Sequence, residues 1–125
     1  MLCWVYSEGQ EGPLFNYLPR GLWGVHLWVA SNSRLFVRFT RRDYSFTEGL
    51  IYSLASGWQF VGASYDGGSG YAKLWINGNE VQTLHIGEGL DLATQNNIRM
   101  GAKPGDVRYF KGRIAEMQEI GRAHV

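Results

Sequence analysis

The sequence predicts an all-β protein, an antiparallel two-sheet sandwich. Three observations carry that expectation. Apolar residues alternate with period two in several short runs, and no segment sustains helical periodicity for three turns. Turn signals recur about every ten residues, the spacing of a sandwich built from short strands. The third is the stretch from Trp58 to Val81, WQFVGASYDGGSGYAKLWINGNEV. There Trp58, Phe60, Gly62 and Ser64 alternate with Gln59, Val61, Ala63 and Tyr65. A glycine-rich break follows at 66–70, then a second alternating run over 71–76, then Asn77-Gly78, the pair that accepts the positive φ angles of a two-residue hairpin.

The elements follow in chain order. Residues 2–6 read as a short strand and 7–13 as a turn with two glycines. Residues 14–18 form a brief strand, broken by Pro19-Arg20-Gly21. Over 23–30, Trp23, Val25, Leu27 and Val29 alternate with Gly24, His26, Trp28 and Ala30; both sets hold large apolar residues, so this strand is expected to be covered on both faces. Ser31-Asn32-Ser33 is a turn. Leu35, Val37 and Phe39 then form one face, with Arg34, Phe36, Arg38 and Thr40 on the other. A polar loop at 41–45 leads to a looser segment over 46–54. After the strands at 58–65 and 71–76, residues 80–86 return as the hairpin partner. Residues 87–97 are a long loop, and 98–102 and 109–118 are the last strands, split by Lys103-Pro104-Gly105-Asp106.

Composition narrows the class. A chain of 125 residues suits one domain, and 45% hydrophobic residues with 14% aromatics can build a core. The net charge of +1 argues against a dedicated nucleic-acid binder, which would be strongly basic. No run of 18 apolar residues could span a membrane as a helix. Met1 is followed directly by strand-like sequence, with no basic leader region and no cleavage site. Asn32-Ser33-Arg34 fails as a glycosylation sequon at its third position.

Five stretches resemble one family in order. Cys3-Trp4-Val5-Tyr6 and Gly12-Pro13-Leu14-Phe15-Asn16-Tyr17 are similar to its early strands. The Trp58 to Gly78 block resembles its central pair, and Ile98-Arg99-Met100-Gly101 and Phe110-Lys111-Gly112-Arg113-Ile114-Ala115 its late strands. The family is the laminin-G-like jelly roll, also called the concanavalin A-like sandwich. The resemblance implies an antiparallel two-sheet jelly roll. It also implies a non-catalytic recognition or adhesion module of a larger extracellular or cell-surface protein, binding a glycan or an extracellular protein. The alternative is a fragment or accessory domain of a sandwich-fold carbohydrate-active enzyme. Jelly rolls of this family usually exceed 125 residues, so the chain is expected to be incomplete at its termini, with its first and last strands missing or partial. Residues 119–125, EIGRAHV, do not resemble the closing strand. They read as the translation of a common sequencing adapter, the alternative being a natural polar tail. The domain is therefore expected over 1–119, with 120–125 a non-native tail, and the net charge falls to zero if Arg122 lies in that tail. Cys3 is the one cysteine. It reads either as a buried apolar residue or, as in extracellular relatives, as half of a disulfide to a cysteine beyond this chain.

The search for chemistry is mostly exclusion. His26, His85 and His124 lie far apart and form no zinc pattern. Calcium is possible, since some family members bind it on a sheet rim; candidate ligands are Asp66, Asn77, Asn79, Asp91 and Asp106, although Asp and Asn also favour turns for local reasons. No cofactor is otherwise indicated. A retaining glycosidase needs two carboxylates about 5 Å apart, and no E-x-D-x-E run supplies them. No G-x-S-x-G nucleophile elbow occurs, and Gly67-Gly68-Ser69-Gly70 lies between strands with no following helix, so it is a turn and not a phosphate loop. The remaining signal is a cluster of arginines, Arg34, Arg38, Arg41 and Arg42. Guanidinium groups suit sulfate and carboxylate, so these four are the candidate ligand-binding residues for an acidic glycan; the alternative is an ordinary solvated face. Trp28, Tyr44 and Tyr52 are candidate sugar-stacking platforms, while Trp58 and Trp75 are expected to pack between or along the sheets.

Overall fold

The computed structural model describes residues 1–17, 23–94, 98–102 and 108–118. Among these the chain forms β1 (Leu2–Ser7), β2 (Gly12–Tyr17), β3 (His26–Ala30), β4 (Arg34–Arg38), β5 (Gly49–Ser53), β6 (Gln59–Asp66), β7 (Tyr71–Ile76), β8 (Asn79–His85), β9 (Ile98–Met100) and β10 (Gly112–Gln118). They make two five-stranded sheets, ordered β10-β1-β6-β7-β8 and β5-β4-β3-β2-β9. Every strand pairing is antiparallel. Among the described residues only the short turn at Ser31–Ser33 is helical. This is the two-sheet sandwich the alternation predicts.

Period two decides which side chains meet between the sheets. The first sheet contributes Cys3, Val5, Val61, Ala63, Ala72 and Leu74, and the second Leu14, Phe15, Leu27, Val29, Leu35, Val37 and Leu50, all buried. Burying such a side chain contributes roughly 1.5–3 kcal/mol, so these inner faces carry the fold. Tyr65 closes one end. Its ring packs on Phe39 with centroids 5.9 Å apart, and its hydroxyl donates to the Gly87 carbonyl at 2.8 Å and accepts from the Leu90 amide at 2.9 Å. That pins the loop after β8.

The hairpin forms at Asn77-Gly78, with φ angles of 51° and 82°. Asn77 Oδ1 also accepts the Phe60 amide at 2.9 Å, tying the turn to β6. Residues 49–53, expected to be irregular, form β5. It is an edge strand with only Leu50 fully buried, so it leaves no alternating signal. The neighbouring edge is guarded: Gln82 Oε1 accepts the Ile51 amide at 2.6 Å, occupying a donor that could template further pairing.

The strands nearest the two ends of the described chain, β1 and β10, pair with each other from Leu2↔Gln118 to Ser7↔Gly112, with a register shift between Leu2 and Trp4. One expectation changes. Trp58 is not packed between the sheets but 42% exposed, and Trp75 lies on the outer face of β7, its indole N–H donating to Ser64 Oγ at 3.0 Å. Cys3 is a fully buried thiol, as its reading as a buried apolar residue expects, and burial pushes it up to about 12. Residues 119–125, including the suspected tail, lie outside the described residues.

Candidate functional site

The outer face of β3 and β4 carries the polar half of the alternation. Cross-strand pairing places Trp28 opposite Phe36, His26 opposite Arg38 and Ala30 opposite Arg34. Outer-face residues normally meet water, yet Trp28 is only 6% exposed and His26 7%. Other elements cover them. Trp23, just before β3, stands edge-on to Trp28 with centroids 5.1 Å apart and lies 5.0 Å from His26. Arg108, from the segment before β10, lays its guanidinium 4.5 Å over the Trp28 ring and pairs with Glu11 at 3.1 Å. Phe46, before β5, closes the other side. Together these residues line an open groove of ≈ 420 Å³.

Arg38 is the centre of this arrangement. Its guanidinium lies 5.0 Å from the Phe36 ring and 4.8 Å from the Phe46 ring. Its Nε is buried and has no hydrogen-bond partner. A buried donor left unmet costs about 1–3 kcal/mol, more when the group is charged. The Phe36 ring can lie flat here because Gly49, opposite Arg38 on β5, has no side chain: a Cβ there would overlap the ring. His26 is fixed by a 2.8 Å contact from Nδ1 to the Gly24 carbonyl, which Thr40 Oγ1 also reaches at 2.9 Å. The next strand continues the row. Asn16 stands opposite His26; its Nδ2 donates to the Arg99 and Ala102 carbonyls at 3.3 and 3.2 Å, leaving a buried Oδ1 without a partner.

The four sequence-predicted arginines separate. Arg34 and Arg38 share the outer face of β4 with Phe36, but Arg34 Nε donates to the Ser31 carbonyl at 3.2 Å, at the far end of the strand from Arg38. Arg41 donates to Ser45 Oγ and to the Phe46 carbonyl, each at 3.3 Å, and so shapes the loop that presents Phe46 to Arg38. Asp43 tightens the same loop: its carboxylate is held below the usual range, first by the Ser45 hydroxyl and then by the Ser45 amide. Arg42 pairs with Asp91 at 3.1 Å. Of the stacking candidates, Trp28 lines the groove, whereas Tyr44, at φ 65° in the loop, and Tyr52, on the edge strand, do not. The groove members not singled out in the sequence are Trp23, His26, Phe46 and Arg108. The double-sided apolar pattern over 23–30 is the one signal that marked the first two.

The calcium candidates have local partners. Asp66 Oδ1 accepts the Gly68 amide at 2.9 Å, Asn77 holds Phe60, and Asp91 holds Arg42. Asp106 lies outside the described residues. Among the described residues no group of three or more His, Cys, Asp or Glu side chains is placed to hold a metal ion, and no helix is long and apolar enough to cross a membrane.

The family model described as the concanavalin A-like lectin/glucanases superfamily matches residues 2–124. Among curated proteins none is significantly similar in sequence. Solved structures with this architecture include the CBM40 of the Ruminococcus gnavus IT-sialidase, at 18% identity and TM-score 0.67 over 91% of this chain and 73% of that one. The same module bound to α2,3-sialyllactose superimposes with TM-score 0.68 and 19% identity, over 92% and 70% of the two chains. A mutant of HCR/D matches at 20% identity and TM-score 0.63, over 87% of this chain but 31% of that one. At these identities the likeness is one of fold.

Proposed function

Because this chain belongs to the concanavalin A-like lectin/glucanases superfamily, we propose that it is a non-catalytic glycan-recognition module whose ligand is an acidic sugar held in the groove over β3 and β4. The observation that carries this reading is Arg38. Its guanidinium lies in the groove between two aromatic rings with Nε unpartnered, and a ligand carboxylate would supply the acceptor that the rings do not. Arg108 adds a second guanidinium to the same groove, and Trp23 adds an apolar ring. A carboxylated pyranose matches that set: its acid accepts from the guanidinium groups, and its ring C–H face packs on the Trp23 indole.

Two further observations support the reading. Glycoside hydrolysis needs a pair of carboxylates at the scissile bond, and among the described residues that line the groove there is no carboxylate. The sialidase module of the same architecture is bound to α2,3-sialyllactose, which makes that trisaccharide the natural first probe. The family setting also supports an extracellular or cell-surface location. The test is isothermal titration of the chain with α2,3-sialyllactose and with lactose, which lacks the acid. Binding of the first, at least tenfold weaker binding of the second, and loss of the difference in Arg38→Ala are expected. Equal affinity for the two sugars would overturn the acidic-sugar reading.

A further inference from the structure

The outer face of the other sheet holds a second cleft of different chemistry, of ≈ 550 Å³. Alternation in β6 and β7 turns Ser64, Asp66, Tyr71, Lys73 and Trp75 outward, because their neighbours Val61, Ala63, Ala72 and Leu74 are buried. The Trp75 indole is tethered by its N–H to Ser64 Oγ at 3.0 Å. Lys73 lies 5.8 Å from the Trp75 ring and pairs with Glu80 at 3.4 Å. Thr83 in turn donates to the Glu80 carboxylate, which these contacts hold below its usual range, the Thr83 bond first and Lys73 after it. Tyr71, 43% exposed, stands edge-on to His85 at 5.1 Å. The aromatic surface continues along the sheet through Trp4 against Phe60 and Tyr6 against Trp58.

We propose that this cleft is a second carbohydrate site, for a neutral glycan, on the face of the sandwich opposite the Arg38 groove. The occupant follows from the lining. Rings at Trp75 and Tyr71 offer apolar platforms, and Ser64, Lys73 and Thr83 set hydrogen-bonding groups between them. That interleaving fits a pyranose, whose C–H faces are apolar and whose rim is hydroxylated. The centre of a protein interface is contiguous and apolar, and here polar side chains interrupt the rings. Charge then excludes an acid. Lys73 is neutralised by Glu80, and Asp66 adds a carboxylate at the rim, so an anionic sugar would meet no net positive field. With acidic and neutral sites back to back, one module can engage two chains of a glycan surface, and avidity rises without new contacts.

The test uses the full chain labelled with 15N and titrated with maltotriose, cellotriose and laminaritriose. The indole N–H signal of Trp75 reports this cleft, and those of Trp23 and Trp28 report the groove. At least one trisaccharide is expected to shift the Trp75 signal saturably while leaving Trp28 unmoved. Tyr71→Ser, at an exposed position, should weaken that binding at least tenfold, as should Lys73→Ala, and Arg38→Ala should leave it intact. Circular dichroism confirms that the variants fold. The proposal is overturned if no trisaccharide moves the Trp75 signal, if both variants bind as the parent does, or if the signal moves with protein concentration alone, which would make this face a contact between copies. Sialyllactose binding in the Arg38 groove is read in the same spectra, so either site can fail without the other.

Discussion

Replacing Arg38 by Met separates the two roles a half-buried arginine can have. Met keeps an unbranched apolar stem against Phe36 and Phe46 and removes the guanidinium. On the stability side, two cation–π contacts are lost, at roughly 0.5–1 kcal/mol each. Part of that returns as sulfur–aromatic contact, about 0.3–1.5 kcal/mol. The unpartnered Nε donor also disappears, and with it a penalty of about 1–3 kcal/mol. These terms nearly cancel or favour the variant. With roughly 4–8 °C in Tm per kcal/mol for a domain of about this size, Tm should move by no more than about 5 °C downward, and an increase is expected as readily.

On the binding side nothing cancels. A hydrogen bond to a charged group contributes about 1.5–3 kcal/mol, and a tenfold change in affinity corresponds to about 1.4 kcal/mol. Arg38→Met should therefore weaken sialyllactose binding about 10- to 150-fold while the melt stays near the parent's. The assays are differential scanning calorimetry and titration calorimetry on the same preparation. A fall in Tm beyond about 10 °C with affinity unchanged would refute the reasoning, because Arg38 would then be a structural residue between two rings.

Three further outcomes follow from the fold. Gly78→Val should destabilise by about 1–2 kcal/mol, the general penalty of the left-handed region, since a side chain at φ 82° meets nothing within 4 Å; an unchanged thermal melt would count against the turn. Tyr65→Phe removes both hydroxyl bonds to the loop after β8 and should cost about 1–3 kcal/mol, with faster amide exchange at Leu90 as the local readout. Cys3 should resist iodoacetamide in the native state and react once unfolded. Its folded pKa is raised from 9.0 to about 12, so its contribution is full below about pH 9 and is lost as the pH climbs toward 12. Denaturant midpoints across that window check the sign, and Cys3→Ala should flatten the change.

The inner faces were legible in the sequence and the outer groove only in part, for one physical reason. Alternation over 35–39 and 58–65 assigns each side chain to a face, and burial of Leu35, Val37, Val61 and Ala63 follows. The Asn77-Gly78 turn is equally local, because φ preference belongs to the residues themselves. The groove is assembled from contacts remote in sequence. Arg108 reaches Trp28 across eighty residues, and Phe46 reaches Arg38 through a loop shaped by Arg41 and Asp43. No periodicity encodes such meetings. Trp58 was misjudged for a different reason: an aromatic residue beside a strand reads as core, although the same alternation sets it apart from the buried Val61 and Ala63.

A run of arginines says little until the fate of each donor is known. Arg42 has a carboxylate partner, Arg34 and Arg41 have backbone carbonyls, and Arg38 Nε has none. Exposed, paired cations contribute little to stability. An unmet buried donor is different, because the folded chain carries a penalty that a ligand can relieve. Asn16 Oδ1 is unmet on the same cross-strand row, across His26 from Arg38. Asn16 is fully buried and does not line the groove, so its open acceptor is a cost within the fold, whereas Arg38 lines the groove itself. Asn16→Ala should therefore leave the folded protein's affinity for sialyllactose near the parent's, while Arg38→Met weakens it. A loss of affinity from Asn16→Ala as large as that from Arg38→Met would shift the centre of recognition away from the arginine.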